Sequence, residues 1–143
     1  MTNQFTHYET DIKPEWIDYN EHLNDAAYAI VLSQANEDFL RHLNLSDQYR
    51  VATKCSMYTV EMLISYQAEV HQSDHLKAKS WISELAPKKV RIKTELIRKD
   101  GTVAATGQVL YLHFDGETQK VSPFSETQFS QLESFRHESD SQI

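Results

Sequence analysis

Residues 24–43, NDAAYAIVLSQANEDFLRHL, decide the fold. Tyr28, Leu32, Ala35, Phe39 and Leu43 recur at helical spacing and mark one apolar face. Ala26, Ala27, Ala29, Ile30 and Val31 make the first two turns apolar nearly all round. A helix start of that kind is expected to be buried on several sides. Asn24 or Asp25 serves as the N-cap, because a short polar side chain accepts from an otherwise unpaired N–H. Asn44 supplies the C-terminal stop. The spacing therefore predicts one long helix.

Outward from this helix the chain reads as strands. Residues 7–12 form the first, ended by Pro14, which cannot donate to a ladder. Residues 52–66 hold the β-formers Tyr58, Thr59, Val60, Ile64 and Tyr66. Residues 75–85 place Leu76, Ala78, Ser80 and Ile82 on one face and Lys77, Lys79 and Trp81 on the other. Residues 90–97 alternate more clearly, with Val90, Ile92, Thr94 and Leu96 opposed to Arg91, Lys93 and Glu95. RKDG, residues 98–101, carries the Asp-Gly signature of a hairpin. Residues 102–114 make a long last strand, in which Gly107 marks a bulge or a close backbone approach. Residues 125–135 close the chain with a short helix anchored by Phe129, Leu132 and Phe135. The order is α+β: an antiparallel sheet with one helix to cover it. Residues 1–136 are read as a single domain, and residues 137–143 as a flexible tail.

Composition excludes several classes of function. The formal net charge of −7 argues against general nucleic-acid binding. No apolar run is long enough to span a bilayer. The N-terminus lacks the basic start and apolar core of a signal peptide. One cysteine, Cys55, allows no internal disulfide and fits a reducing compartment. These features point to a soluble, cytoplasmic protein. No phosphate loop, dinucleotide fingerprint or nucleophile elbow is present.

Chemistry concentrates just ahead of the helix. Asp18, His22, Asn24 and Asp25 fall within eight residues. A carboxylate beside a helix start is placed to act as a general base or a nucleophile. The first N–H groups of the helix have no partner within it, and they suit an oxyanion. The same residues would also serve as a solvated loop and an ordinary cap. His71 and His75 have i, i+4 spacing but flank a turn, so no metal site is expected. Lys88, Lys89, Arg91 and Lys93 form a local basic run that continues to Arg98 and Lys99. It suits phosphate binding, or simply forms a solvated strand face.

WIDYNEHLNDAAY, residues 16–28, resembles the active-site signature of the 4-hydroxybenzoyl-CoA thioesterase-like hotdog family. The resemblance implies a hotdog fold, a curved antiparallel sheet wrapped around one long central α-helix. It also implies metal-free, cofactor-free hydrolysis of acyl-CoA thioesters by a homodimer or a dimer of dimers. By position, Asp18 matches the catalytic carboxylate, and His22 and Asn24 match the motif's His and first Asn. The N–H near Asp25 matches the donor to the thioester oxygen. Glu21 stands where the family has Gly, and Asp25 stands where it has a second Asn. If the backbone at Glu21 needs positive φ, a side chain there is strained.

IKPEWIDYN and HLNDAAYAIVLSQA are similar, more narrowly, to the betainyl-CoA-cleaving branch of the family. Such a substrate carries a quaternary ammonium, which offers no hydrogen-bond donor and is held by ring faces. Trp16, Tyr19, Tyr28, Tyr58, Tyr66 and Trp81 are candidate walls, and Glu61 adds charge complementarity. Core packing is the alternative reading for each aromatic. Two other readings stay open. One is a thioesterase for another short or aromatic acyl-CoA. The other is a non-catalytic hotdog module that binds acyl-CoA or a partner.

Overall fold

The structure, a computed structural model, describes residues 4–137. Strand β1 is Phe5–Asp11, followed by a 3-10 turn at Pro14–Trp16. Helices α1 (Asp25–His42) and α2 (Asp47–Thr53) come next. Strands β2 (Cys55–Tyr66), β3 (His75–Ala86), β4 (Lys89–Arg98) and β5 (Val103–Asp115) follow. A two-residue strand β6 (Lys120–Val121) and helix α3 (Glu126–Glu133) end the series. The sheet runs β1-β3-β4-β5-β2, every pair antiparallel, with β6 added to β5.

Helix α1 lies on this sheet by the face its sequence marks. Tyr28, Leu32, Ala35, Phe39 and Leu43 are all buried. Leu32, Phe39 and Leu43 pack with Ile82, Val90, Ile92 and Val109, while Ala27, Tyr28, Val31 and Ala35 pack with Leu76, Ala78, Leu96 and Ala105. Gly107 of β5 marks a close approach: a Cβ there would fall 2.4 Å from Leu32 Cδ2. Asn24 caps the helix, and Asn44 leaves it at φ 60°. The hairpin at Arg98–Thr102 places Gly101 at φ 89°, the left-handed residue of a three-residue loop.

The helix inventory departs from expectation. Helix α1 has 18 residues, α3 falls within the expected closing helix at 125–135, and α2 is the helix not expected. Helix α2 buries none of its residues, so it carries no apolar stripe for periodicity to reveal. It is fastened instead by Tyr49, whose hydroxyl lies 2.7 Å from His113 Nε2. The following strand accordingly starts at Cys55, later than expected. Ala26 and Ile30, one turn apart on α1, stay exposed. The helix start is thus open on one side.

The outer face of β3 also departs from simple alternation. Trp81 is wholly buried and Lys93 nearly so. The cover comes from the chain after α3. Ile82 N–H donates to Phe135 O, and His137 N–H donates to Ile82 O, both at 2.9 Å. The His137 ring stands edge-on to Trp81, and the Lys93 ammonium lies 6.0 Å from the Trp81 ring. His137, the first residue of the expected tail, is therefore tied to β3. Residues 138–143 lie outside the described residues.

The two sheet edges differ. Strand β1 is short, irregular in register between Thr6 and Tyr8, and carries Glu9 and Asp11. These are features that blunt an edge against further pairing. Strand β2 is 12 residues long, and residues 58–63 are exposed without interruption. Tyr58, Val60, Met62 and Leu63 stand among them.

Candidate active site

The loop ahead of α1 is a closed turn. Asp18 N–H donates to His22 O at 2.9 Å, and Glu21 N–H returns to Asp18 O at 3.0 Å. Ile17 and Leu23 form a bridge across its base. Glu21 sits at φ 65°, so the position that the family fills with Gly does need the left-handed region. Two outside bonds hold the turn: Asn24 N–H to Trp16 O at 2.8 Å, and Leu23 N–H to Val70 O at 2.7 Å. The second joins the turn to the β2–β3 connection.

The Asp18 carboxylate folds back over this turn. Its Oδ1 accepts from Asn20 N–H at 2.9 Å and from His22 N–H at 3.3 Å. Both bonds fall on one oxygen, which fixes the group and leaves Oδ2 for other work. At the helix start, Ala26 N–H is shared by Asn24 Oδ1 and Asp25 Oδ1, each at 2.8 Å. Ala27 and Tyr28 N–H both point to Asn24 O. Among the described residues, the Asp25 N–H is the helix-start donor left without an acceptor.

An open cleft of about 630 Å³ lies over these groups. Asp18, Tyr19, His22, Asn24 and Asp25 line one side, and Tyr66, Gln67, Ala68 and Glu69 line the other. Tyr28 forms part of the floor, and its ring meets Tyr66 edge-to-face at 5.0 Å. The Tyr28 hydroxyl donates to Ala68 O at 3.2 Å. Burial pushes that hydroxyl above its ordinary pKa; Tyr66, Glu69 and Asp18 push the same way, and the Arg98 guanidinium pushes against them. It therefore remains a donor at neutral pH.

Among the described residues, three carboxylates line the cleft and no Lys or Arg does. His22 Nε2 lies 3.2 Å from Glu69 Oε2, and His71 Nε2 lies 3.6 Å from the same oxygen. The donor atoms of His22, Glu69 and His71 fall within 4.8 Å of one another, close enough to hold a divalent cation or to brace the loop by hydrogen bonds. His75 takes no part; Glu9 and Asp11 hold it on β3.

The sequence candidates divide accordingly. Asp18, His22, Asn24, Asp25, Tyr19, Tyr28 and Tyr66 are brought together in the cleft. Trp16 is buried beneath the loop, with Lys13 over its ring at 5.4 Å. Trp81 stands on the outer face of the sheet, away from the cleft. Glu61 lies midway along β2, 3.5 Å from Arg91. Arg91 and Lys89 both pair with Glu84, and Lys93 is buried at Trp81. Lys88 lies in the turn before β4, where its O accepts from His113 N–H. Glu69 was not among the candidates. It stands in a turn some forty residues beyond the motif, and the only local signal is an acid two positions from a histidine.

Comparison with known proteins gives the family of the chain. Residues 12–132 match the model of the Thioesterase-like superfamily. A betainyl-CoA thioesterase of Pseudomonas aeruginosa is 30% identical over 125 residues, which cover 87% of this chain and 79% of that protein. An L-carnitine dehydrogenase/betainyl-CoA thioesterase of Agrobacterium fabrum is 32% identical over 113 residues, 79% of this chain but 23% of that longer protein. A Staphylococcus aureus protein solved in complex with CoA superposes with a TM-score of 0.85 at 26% identity, covering 94% of this chain and 86% of that one.

Proposed function

Because the chain belongs to the Thioesterase-like superfamily and is a thioester hydrolase, we propose that its substrate is an acyl-CoA with a cationic acyl group, betainyl-CoA first. One observation carries this reading: the cleft holds Asp18, Asp25 and Glu69, no basic Lys or Arg, and two mutually perpendicular tyrosines. A quaternary ammonium suits ring faces in a negative field, and cation–π contacts of this kind contribute about 0.5–2 kcal/mol. A neutral acyl chain gains nothing from the carboxylates.

In this mechanism the thioester oxygen sits at the Asp25 N–H, at the positive end of α1. Asp18 acts through Oδ2, attacking the carbonyl carbon or drawing a proton from the attacking water. His22, braced by Glu69, holds the turn and orients the water. The thiolate of coenzyme A leaves; glycine betaine forms directly when water attacks, or after water cleaves the acyl anhydride on Asp18 when the carboxylate attacks. Labelled water separates the two roles of Asp18: in a single turnover, label enters Asp18 only if it is the nucleophile.

The working unit is a homodimer formed along the free edge of β2. Its exposed Val60, Met62 and Leu63 and its unpaired backbone edge support this, as do Ala26 and Ile30 left open on α1. A cytoplasmic location agrees with the single free cysteine. Among the described residues, no helix is long and apolar enough to cross a membrane.

The test compares betainyl-CoA with 3,3-dimethylbutanoyl-CoA, which replaces the ammonium nitrogen by carbon. Preference for the cation by roughly tenfold or more in kcat/KM is expected. Equal rates would sink the cationic reading.

A further inference from the structure

Two histidines and one carboxylate meet at the rim of the cleft, and hydrolysis uses only part of what they offer. His22 Nε2 and His71 Nε2 approach one oxygen, Glu69 Oε2, at 3.2 and 3.6 Å. The two imidazole rings stand edge to face, 5.0 Å apart. All three donor atoms lie within 4.8 Å of one another. Tetrahedral ligands at zinc distances stand roughly 3.3 Å apart. Two of the three separations already match. The third, between the imidazole donors, closes by small rotations of two partly exposed rings.

The backbone of each ligand residue is anchored on its own. His22 N–H donates to Asp18 Oδ1 at 3.3 Å. Glu69 O accepts from Arg98 Nη1 at 2.8 Å, and His71 N–H donates to Asp74 Oδ2 at 2.9 Å. The Leu23–Val70 bond, between immediate neighbours of the two histidines, ties their segments together. The Arg98 guanidinium, which would repel a cation, is itself paired with Asp100 at 2.7 Å. The donors are thus placed in advance, while their side chains stay open to solvent.

Donor type selects the ion. Two neutral imidazoles and one carboxylate suit zinc and its neighbours cobalt and nickel, and leave a fourth position for water. Magnesium and calcium want shells of oxygen and fit poorly. Among the described residues, neither imidazole Nδ1 has a hydrogen-bond partner. Ligands without such support hold a metal roughly 10–100-fold more weakly. The site is therefore one for exchangeable binding rather than for a permanent metal centre.

We propose that His22, Glu69 and His71 form an exchangeable site for a zinc-class divalent cation, and that its occupancy inhibits hydrolysis in the cleft. The binding stands independently of the thioesterase reading; the inhibition rests on it. A bound Zn²⁺ turns the single negative charge of Glu69 into a net positive one, at the rim that a cationic acyl group must pass. It also takes the His22 ring away from the turn that carries Asp18.

Calorimetry of the tag-free full chain with zinc chloride tests the site, with magnesium chloride as the control. One zinc ion should bind per chain, and magnesium should give no heat of binding. His71→Ala and Glu69→Gln should each weaken zinc binding by roughly tenfold or more, with melting temperatures near that of wild type. No zinc binding in wild type, or full affinity kept by either variant, overturns the site. Hydrolysis of the best acyl-CoA tests the consequence, followed by loss of the thioester absorbance because zinc binds free thiols. Zinc should suppress turnover by wild type, and a chelator should restore it. His71→Ala should match wild type without zinc, and should need roughly tenfold more zinc for the same suppression. Turnover unchanged or raised while zinc occupies the site, or equal suppression of His71→Ala, overturns the inhibition. A wild type that hydrolyses no thioester even without zinc overturns the inhibition together with the thioesterase reading, and calorimetry alone then decides the site.

Discussion

The Tyr66 hydroxyl donates to the main-chain oxygen of Asp25 at 3.3 Å, fastening edge strand β2 to the first turn of α1. One bond therefore sets both the ring that faces the cleft and the height of the helix start. Tyr66→Phe keeps the ring, and is expected to lower kcat/KM on the cationic thioester only a few-fold. Tyr66→Leu removes the ring face and should cut the preference for the cation over its neutral isostere by roughly tenfold. The ratio of the two kcat/KM values reads the effect. An unchanged ratio in Tyr66→Leu removes Tyr66 from the binding site.

Asp18→Asn separates chemistry from architecture. An asparagine Oδ1 still accepts from the N–H groups of Asn20 and His22, so the turn should close as before. Turnover should fall on the order of 10²- to 10⁴-fold. Circular dichroism and melting temperature should match the wild type. Wild-type turnover in this variant would remove Asp18 from the mechanism.

Glu21 holds a left-handed backbone with a side chain attached, at φ 65°. Glycine takes that region without the Cβ clash. Glu21→Gly is expected to stabilise the fold by about 1 kcal/mol. Thermal melting checks this. A lower melting temperature would mean that the Glu21 side chain contributes more than its backbone costs.

His75 bridges two acids on the β1 edge, with Nδ1 2.8 Å from Asp11 and Nε2 2.7 Å from Glu9. Both ring nitrogens must donate, which favours the imidazolium. Asp11, then Glu9, raises the His75 pKa above its ordinary value. Because the folded pKa is raised, this stabilisation is complete below the unfolded value, near 6.5, and is lost as pH rises through the folded one. The melting temperature of wild type should exceed that of His75→Gln most at pH 6, and the gap should close above the raised pKa. A gap independent of pH would show that the bridge is steric rather than ionic.

Periodicity found what depends on neighbours in sequence. Helix α1 was legible to within a residue at each end, because an apolar face and two polar ends coincide in one stretch. Strand β4 was legible because Val90, Ile92, Thr94 and Leu96 alternate without a break and all are buried. The left-handed turn was legible only as a condition attached to Glu21, and the backbone met that condition. Helix α2 was hidden because an exposed helix has no stripe. Trp81 was read as a candidate ligand wall and Lys93 as part of a basic run, because the segment that covers them arrives from residues 135–137, far along the chain. Glu69 was hidden for the same reason. Its place opposite Asp18 is set by the Leu23–Val70 bond, a contact between segments almost fifty residues apart.

The capping of α1 has a consequence for electron demand. Asn24 and Asp25 between them occupy the Ala26 N–H, so under the proposed function a carbonyl entering there would meet the Asp25 N–H without a companion from the helix start. A lone dipole polarises a carbonyl less than a pair does. A trimethylammonium group one carbon from the carbonyl compensates by induction, withdrawing electrons from the carbon under attack. A substrate of this kind brings part of its own activation. Plain alkanoyl thioesters lack it, and at this helix start they would react slowly even when bound well. Discrimination would then appear in kcat as well as in KM.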